Sequence, residues 1–285
     1  MDSDARNAVS PGAVVSAAGG GLRGLARRTR LGALWVAAGA TLLAMFVQRI
    51  KVPDYNLFAD QATCLSIPNF TNVASNLGFV VVGVWGLAWF WIERRRLLGT
   101  RFRDRRELGL YAGFFAAAIL VGLGSAYYHY APTNATLFWD RVPMTLAVAA
   151  LTGAFLAERV DGTAGVVAGV ALAVLLPATL VYWRISDAGG AENLWPYVVG
   201  LYGSLAVAVL VLVLFPSPYT HGGQALIAVA WYALAMPFDK VLDGWVYSLG
   251  GILGGHAVKH LLAAVAMFWL FWFMLRPRVP QTGAA

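Results

Sequence analysis

A polar stretch in an otherwise apolar chain carries side chains that are able to do chemistry. The segment GSAYYHYAPTNATLFWDRVP places Ser125 four residues before His129 and Asp140 eleven residues after that histidine. Further along, the segment GGHAVKHLL places His256 and His260 four residues apart. Residues four apart share one face of a helix, so each pair is expected to project from a single helix face.

These residue types fit a hydrolytic metal site. Three imidazoles from two helices are a suitable ligand set for zinc and leave one coordination position open for water. Zinc lowers the pKa of such a water to about 7, which makes hydroxide available near neutral pH. We therefore expect His129, His256 and His260 to be metal ligands. Asp140 is then suited to proton transfer, and Ser125 to donating a hydrogen bond to a developing oxyanion.

The composition places these residues in a membrane. Hydrophobic residues make up 59% of the 285-residue chain and charged residues 12%, whereas soluble domains carry about 25% charged residues. The net charge of +7 does not indicate a nucleic-acid partner, because the basic residues cluster between apolar segments, as they do in membrane proteins. The single cysteine, Cys64, excludes an internal disulfide. We expect an all-α integral membrane protein.

Eight apolar segments are candidate membrane helices, each of which needs about 20 mostly apolar residues. The weakest segment is 222–238, because it is short and contains Pro237. The eight segments run over about 31–48, 72–92, 109–130, 139–157, 164–183, 196–215, 222–238 and 255–275.

Clusters of arginine set the expected orientation. With eight spans, the clusters before the first span, after the second and after the last all fall on one side, which the positive-inside rule makes the cytoplasm. Seven spans would separate one terminal cluster from the others. Both termini are therefore expected in the cytoplasm, and the site on the outer side. The arginines are Arg23, Arg27, Arg28, Arg30, Arg94, Arg95, Arg96, Arg101, Arg103, Arg105, Arg106, Arg276 and Arg278.

This topology divides the chain into five parts. We expect a disordered basic cytoplasmic tail over 1–30, a membrane anchor over 31–48, an external loop over 49–71, a helical core over 72–275 and a cytoplasmic tail over 276–285. The first span is alternatively a cleaved signal peptide. Its end, LLAMFVQRIKV, has no small-residue cleavage site, which favours a retained anchor.

The site residues also have ordinary structural interpretations. A histidine pair at this spacing is a weak signal alone, Asp140 beside Arg141 is typical of a surface ion pair, and Ser125 suits helix packing. In DKVLDGW, Lys240 and Asp243 are either a pair that braces the mouth of the site or an interfacial loop pair. The metal site is favoured because three of the four histidines and Asp140 are expected at one depth of the membrane, where ionisable groups usually serve function. The fourth histidine falls in a cytoplasmic loop and is left out.

The combined pattern resembles the CREST superfamily of membrane metallohydrolases. The shared features are Ser-x3-His, an aspartate eleven residues after that histidine, and His-x3-His in the last span. NFTNVASNLGF (69–79) is similar to the opening of the first core helix of the alkaline ceramidase family, and GHAVKH (255–260) to its last-helix motif. Bacterial ceramidase-like members are the most similar, through FADQ and IPNF. The resemblance covers about 55–275.

The resemblance implies a CREST-type seven-helix metallohydrolase core, with the first span as one extra N-terminal transmembrane helix. It implies Zn²⁺ held by His129, His256 and His260, proton transfer by Asp140 and oxyanion stabilisation by Ser125. It also implies a multi-pass protein of the plasma or inner membrane that splits ceramide into a sphingoid base and a fatty acid.

Two alternatives to a ceramide substrate stay open at this point. One is hydrolysis of another lipid amide or of an ester. The other is a membrane receptor or transporter, which is disfavoured because the spans 164–183 and 196–215 carry no charged side chain.

The loop before the first core span departs from the family pattern. Animal-type alkaline ceramidases carry an acidic calcium loop here, but DYNLFADQATCLSIPN has Asp54 and Asp60 as its only carboxylates. Asp60 and Asn69 align with two calcium-ligand positions, whereas Tyr55 and Phe58 fall where acidic ligands are expected. Calcium takes six to eight oxygen ligands, so we expect no tight calcium site.

Overall fold

All repetitive secondary structure in the computed structural model is helical over the residues that it describes, 11–51 and 56–281, with side chains described from residue 24 onward. A 3-10 turn, Met236–Phe238, follows the helix that ends at Ala235, and a π-helical turn, Leu270–Leu275, follows the helix that ends at Trp269. The helices are α1 (Pro11–Ala44), α2 (Phe70–Ala74), α3 (Leu77–Thr100), α4 (Arg105–Tyr130), α5 (Asn134–Arg159), α6 (Gly162–Ala188), α7 (Trp195–Leu214), α8 (Gln224–Ala235), α9 (Asp243–Ser248) and α10 (Gly255–Trp269).

Six helices among the described residues are long and apolar enough to cross a membrane. They are α3 with the preceding α2, α4, α5, α6, α7, and α10 with its π-helical turn. The expected span at 222–238 corresponds to a shorter apolar helix, Gln224–Phe238, which leaves α-geometry at Pro237, where no backbone N–H is available. A multi-pass helical membrane protein is therefore confirmed, and the seven-helix count of the core stays a prediction.

The N-terminal region differs from the sequence expectation. The helix α1 begins at Pro11, so the backbone over 11–30 is helical where a disordered tail was expected, as a continuation of the predicted anchor helix toward the N-terminus. Residues 1–10 lie outside the described range. The anchor expected at 31–48 is helical as far as Ala44.

Close helix contacts depend on glycine at a few positions. A Cβ added at Gly203 of α7 would lie 2.2 Å from Cγ2 of Thr41 in α1, so α1 packs on α7 where no side chain intervenes. A Cβ added at Gly165 of α6 would lie 2.4 Å from the backbone nitrogen of Ala157 in α5. These contacts let backbones approach closely, as small residues do in membrane bundles.

The end of the bundle that carries the arginine-rich loop is closed by the C-terminal segment. The Arg101 guanidinium donates to the Arg278 carbonyl oxygen at 2.8 Å, and the Thr220 amide donates to the Val279 carbonyl oxygen at 3.0 Å. Leu31 of α1 and Val160 at the end of α5 line one cavity, so this part of α1 lies toward the same end. The arginines at the end of α3 and after α10 therefore lie at the end opposite His129.

The side chain of Arg278 lies in the interior of the bundle at this end. Its side chain is fully buried, and its Nη1 lies 2.8 Å from Glu158 Oε2. Its guanidinium carbon is 4.0 Å from the ring centre of Phe102 and 4.1 Å from that of Tyr219. Burial and the neighbouring Glu107 raise the pKa of Tyr219 above its usual value. Arg278, interpreted from the sequence as part of a topology signal, is an internal ion-pair residue.

Candidate metal centre

The ends of three helices position the site. His129 is the penultimate residue of α4, and Asp140 lies in the second turn of α5. The turn between them is fixed by Thr133, whose side chain caps α5 by accepting from the Thr136 amide at 3.1 Å. The helix α10 begins at Gly255, where a Cβ would lie 2.7 Å from Cα of Asp243. A residue with a side chain would therefore push the start of α10 out of place.

The three expected metal ligands lie together. His129, His256 and His260 are all buried, and one ring nitrogen from each lies within 4.8 Å of the others. The Nε2 atoms of His129 and His256 are 3.2 Å apart. Two nitrogens that share a tetrahedral zinc at about 2.0–2.1 Å are separated by about 3.3–3.4 Å, so this spacing suits a common ion. The cluster can hold a metal ion, and zinc as its identity is a proposal.

An aromatic lid lies over the histidines. Phe58 is buried, and its ring centre lies 4.6 Å from those of both His129 and His256. The ammonium of Lys240 lies 4.8 Å from the Phe58 ring centre and donates to the Leu57 carbonyl oxygen at 2.8 Å. The loop before α2 thereby shields the histidine cluster from solvent on this side.

His260 is oriented by a serine. Its Nδ1 lies 2.9 Å from Ser75 Oγ. The Ser75 hydroxyl donates to the Asn72 carbonyl oxygen at 3.1 Å, so its lone pair is available to accept the Nδ1–H of His260. With Nδ1 used in this way, Nε2 is the nitrogen left to bind a metal.

His256 is oriented by a carboxylate. Its Nδ1 lies 2.8 Å from Asp239 Oδ1 and 3.2 Å from the Asp239 carbonyl oxygen. The ammonium of Lys259 lies 2.8 Å from the same Oδ1. Burial raises the pKa of Asp239, but the charge of Lys259 and the hydrogen bond from His256 outweigh it, so the pKa of this carboxyl lies well below its usual value.

Asp140 and Ser125 lie beside the histidines. Both side chains are buried, and both line one cavity with His260. The Arg141 Nε lies 3.4 Å from Asp140 Oδ2. The ion pair considered from the sequence therefore exists, but it is buried in the bundle rather than on the surface. The structure brings together all five residues that were expected at the site.

The cavity beside the site is apolar over most of its length and has a volume of about 210 Å³. It runs from Asp140 and His260 along the bundle to Phe155 and Leu270, between α4, α5, α7, α8 and α10. Tyr202 of α7 lines the polar end of this cavity. The shape provides a polar reactive end joined to a long apolar compartment.

Hydrogen bonds hold the loop that was expected to be poor in calcium ligands. The Asp60 carboxylate accepts hydrogen bonds from the Ala62 amide at 2.9 Å and the Thr71 hydroxyl at 2.6 Å. The side-chain amide of Asn69 donates to the His129 carbonyl oxygen at 2.8 Å. Asp54 and Tyr55 lie outside the described residues, so the calcium expectation stays a prediction.

Asp243 has a different role from the loop pair that was considered. Its two carboxylate oxygens accept from the backbone amides of Ala59 and His256, each at 2.9 Å. It therefore joins the loop over the site to the start of α10.

His221, which was left out of the site, is exposed at the arginine-rich end.

Sequence reasoning did not assign roles to Asp239 and Lys259. Asp239 stands seventeen residues before His256, in a turn, and no helical spacing links the two. Lys259 lies within the quoted GGHAVKHLL segment and follows His256 by three residues, which places it on the same helix face. That spacing was the one signal that could have found it.

Comparison of the sequence with protein-family models finds no match, and comparison with curated proteins finds none either.

Proposed function

We propose that this protein is a zinc-dependent membrane hydrolase that cleaves lipid amides. The observation that supports it most directly is the buried cluster of His129, His256 and His260, whose ring nitrogens are spaced for one ion. Buried histidines without carboxylate ligands favour zinc over calcium or magnesium, which prefer oxygen.

The neighbouring residues suit hydrolysis. A zinc ion at such a site supplies the Lewis acidity that activates water near neutral pH. Asp140 accepts a proton from the attacking water and delivers it to the departing nitrogen. The Ser125 hydroxyl donates to the oxygen of the acyl group as negative charge develops there. The acyl carbon gains the water oxygen, the C–N bond breaks, and the amine leaves with the proton.

The apolar cavity favours a lipid substrate. A compartment of about 210 Å³ that runs from His260 toward Leu270 accommodates part of a hydrocarbon chain, and ligand sites of this kind combine apolar walls with a few polar groups. A ceramide-like lipid places an amide at the polar head and a chain in the compartment. The resemblance to alkaline ceramidases makes ceramide the first substrate to test.

The proposed orientation follows from the arginine-rich end. The arginine clusters lie at one end of the bundle and the histidines at the other, so the positive-inside rule puts the termini in the cytoplasm and the site toward the outer leaflet. The plasma or inner membrane is the location that the family resemblance implies.

Metal analysis of the purified protein, combined with a lipid assay, tests the proposal. We expect roughly one zinc per chain, as in other catalytic zinc sites. We also expect release of a fluorescent fatty acid from a labelled ceramide, with loss of activity after chelation and recovery with added zinc. The matching ester substrate separates amide from ester specificity. A protein that carries no zinc and binds none on addition would overturn the proposal.

A further inference from the structure

The strongest unassigned feature is the buried contact between Asp239 and His256. Asp239 follows the 3-10 turn that ends α8, and its amide donates to the Met236 carbonyl oxygen at 3.1 Å. This turn holds the carboxylate against the start of α10, with Oδ1 at 2.8 Å from His256 Nδ1. The contact thus joins a turn and a helix that are separate in sequence.

The direction of this hydrogen bond decides which nitrogen of His256 faces the centre. A carboxylate accepts only, so Nδ1 carries the proton and donates it to Asp239. Nε2 then carries the lone pair that can bind a metal, and this is the atom that lies 3.2 Å from His129 Nε2. A carboxylate in this position fixes both the tautomer and the ring orientation of a metal-binding histidine.

Lys259 stabilises the carboxylate in this place. Its ammonium lies 2.8 Å from Asp239 Oδ1 and 3.3 Å from His256 Nε2. The negative charge of Asp239 is therefore compensated within the site, and the lysine is held by the carboxylate at the edge of the histidine cluster. Without Asp239, the ammonium would remain beside the nitrogen that has to accept a cation.

The three histidines are supported unequally. His256 has the charged partner Asp239 and His260 has the neutral partner Ser75, whereas His129 Nδ1 is buried without a hydrogen-bond partner among the described residues. Hydrogen bonds to an ionised acceptor are about twice as strong as neutral ones. The orientation of the cluster therefore depends most on Asp239.

We propose that Asp239 is a positioning residue that orients His256 for metal binding, and that Lys259 compensates the charge of this carboxylate. This inference rests on the proposed metal site. It assigns to Asp239 no contact with the substrate, and its consequence is a change in metal affinity before any change in chemistry.

Metal titration of Asp239 variants tests the inference. In Asp239→Ala we expect zinc affinity, measured by competition with a chelator, to fall by about 10- to 100-fold, the usual cost of losing such a partner. Cobalt(II) substituted for zinc should give an altered visible absorption spectrum, because the His256 ring is no longer held. Asp239→Asn keeps an acceptor oxygen without the charge, so its zinc affinity should lie between those of the wild-type protein and Asp239→Ala. Asp239→Glu should retain more of the zinc affinity than Asp239→Ala.

The control is Asp187→Ala. Asp187 is paired with Arg184 and Asn134 at the same end of the bundle and contacts no histidine, so its loss should leave zinc affinity and the cobalt spectrum unchanged. Wild-type affinity and spectrum in both Asp239→Ala and Asp239→Asn would overturn the inference while leaving the metal site standing. Failure of the wild-type protein to bind zinc would instead overturn the proposed function, and the inference with it.

Discussion

At the residue scale, the candidate site combines groups that differ in what they can do. The three histidines are metal ligands by type, whereas Asp140 can move a proton and Ser125 can donate a hydrogen bond. Their burial makes these differences testable, because each side chain has few neighbours that could replace it. Substitutions that separate metal binding from chemistry are therefore the informative ones.

The first prediction compares His260→Ala with Asp140→Asn. Two remaining imidazoles hold zinc too weakly, so His260→Ala should lose zinc and activity together. Asp140→Asn keeps the size of the side chain and its place beside Ser125 in the cavity but cannot accept a proton. Zinc should stay bound while turnover falls by roughly 10²–10⁴. Zinc content and rate of ceramide cleavage are measured on the same preparations.

The exposed histidine provides the control for this comparison. His221→Ala, at the other end of the bundle, should change neither zinc content nor rate. Retention of both zinc and activity in His260→Ala would show that this histidine only packs, and that the assignment of the site is wrong.

The second prediction concerns Ser125→Ala. Loss of one oxyanion donor typically lowers turnover by about 10²–10³, with zinc content unchanged because serine is not a ligand. Ser204→Ala is the matched control, since this buried hydroxyl donates to the Gly200 carbonyl oxygen within its own helix. Turnover is measured from initial rates at saturating substrate. An equally small fall in turnover in both variants would assign Ser125 to helix packing.

At the scale of helices, the order of elements and their packing determine where the site lies. Spacing along α10 predicted that His256 and His260 share one helix face, because helical periodicity is regular. The topology inferred from the arginine clusters put His129 at the same depth. The position of Asp239 was not predictable, because a turn after α8 places it, and Pro237 converts the end of that helix into a 3-10 turn. The extent of α1 was also missed, since composition alone did not show that the anchor helix continues to Pro11.

The third prediction tests the close crossing of α5 and α6. A methyl group at Gly165 has no room, so Gly165→Ala should lower the free energy of unfolding by about 1–3 kcal/mol, the usual cost of overpacking. Gly109→Ala is the control, because no atom lies within 4 Å of its added Cβ. In α4 that substitution should be neutral or stabilising by up to about 1 kcal/mol. Thermal unfolding in detergent measures both, and a stability unchanged by Gly165→Ala would contradict the packing.

The fourth prediction concerns orientation and uses the single cysteine. Cys64 is exposed in the loop over the site, so a membrane-impermeant thiol reagent should label it in intact cells. In the double variant Cys64→Ser/Arg95→Cys, the exposed residue 95 at the arginine-rich end should react only after the membrane is opened. Labelling of residue 95 from outside would reverse the proposed topology.

At the scale of the whole molecule, the two ends of the bundle have different tasks. The histidine end holds polar groups that are oriented for a metal and line a cavity. The opposite end pairs its buried charges with one another, as Arg278 with Glu158 and Glu107, and joins the C-terminal segment to neighbouring loops. Because the apolar helices between them separate the two networks, a change at one end should not alter the other.

The last prediction tests this separation with Arg278→Met. Removal of the guanidinium leaves Glu107 buried without its cation and leaves Glu158 with Arg159, whose Nε lies 3.4 Å from Oε1. The loss of one partner of a buried pair costs about 3–5 kcal/mol. The unfolding temperature should therefore drop substantially, while the folded fraction should still bind zinc at the wild-type stoichiometry. Arg276→Met removes the same charge from the same segment. Among the described residues, the half-buried Arg276 side chain contacts the Trp272 ring, and such a contact is worth about 0.5–2 kcal/mol. If Arg278→Met lost zinc without losing stability, the two ends would be coupled, and the division of tasks between them would be wrong.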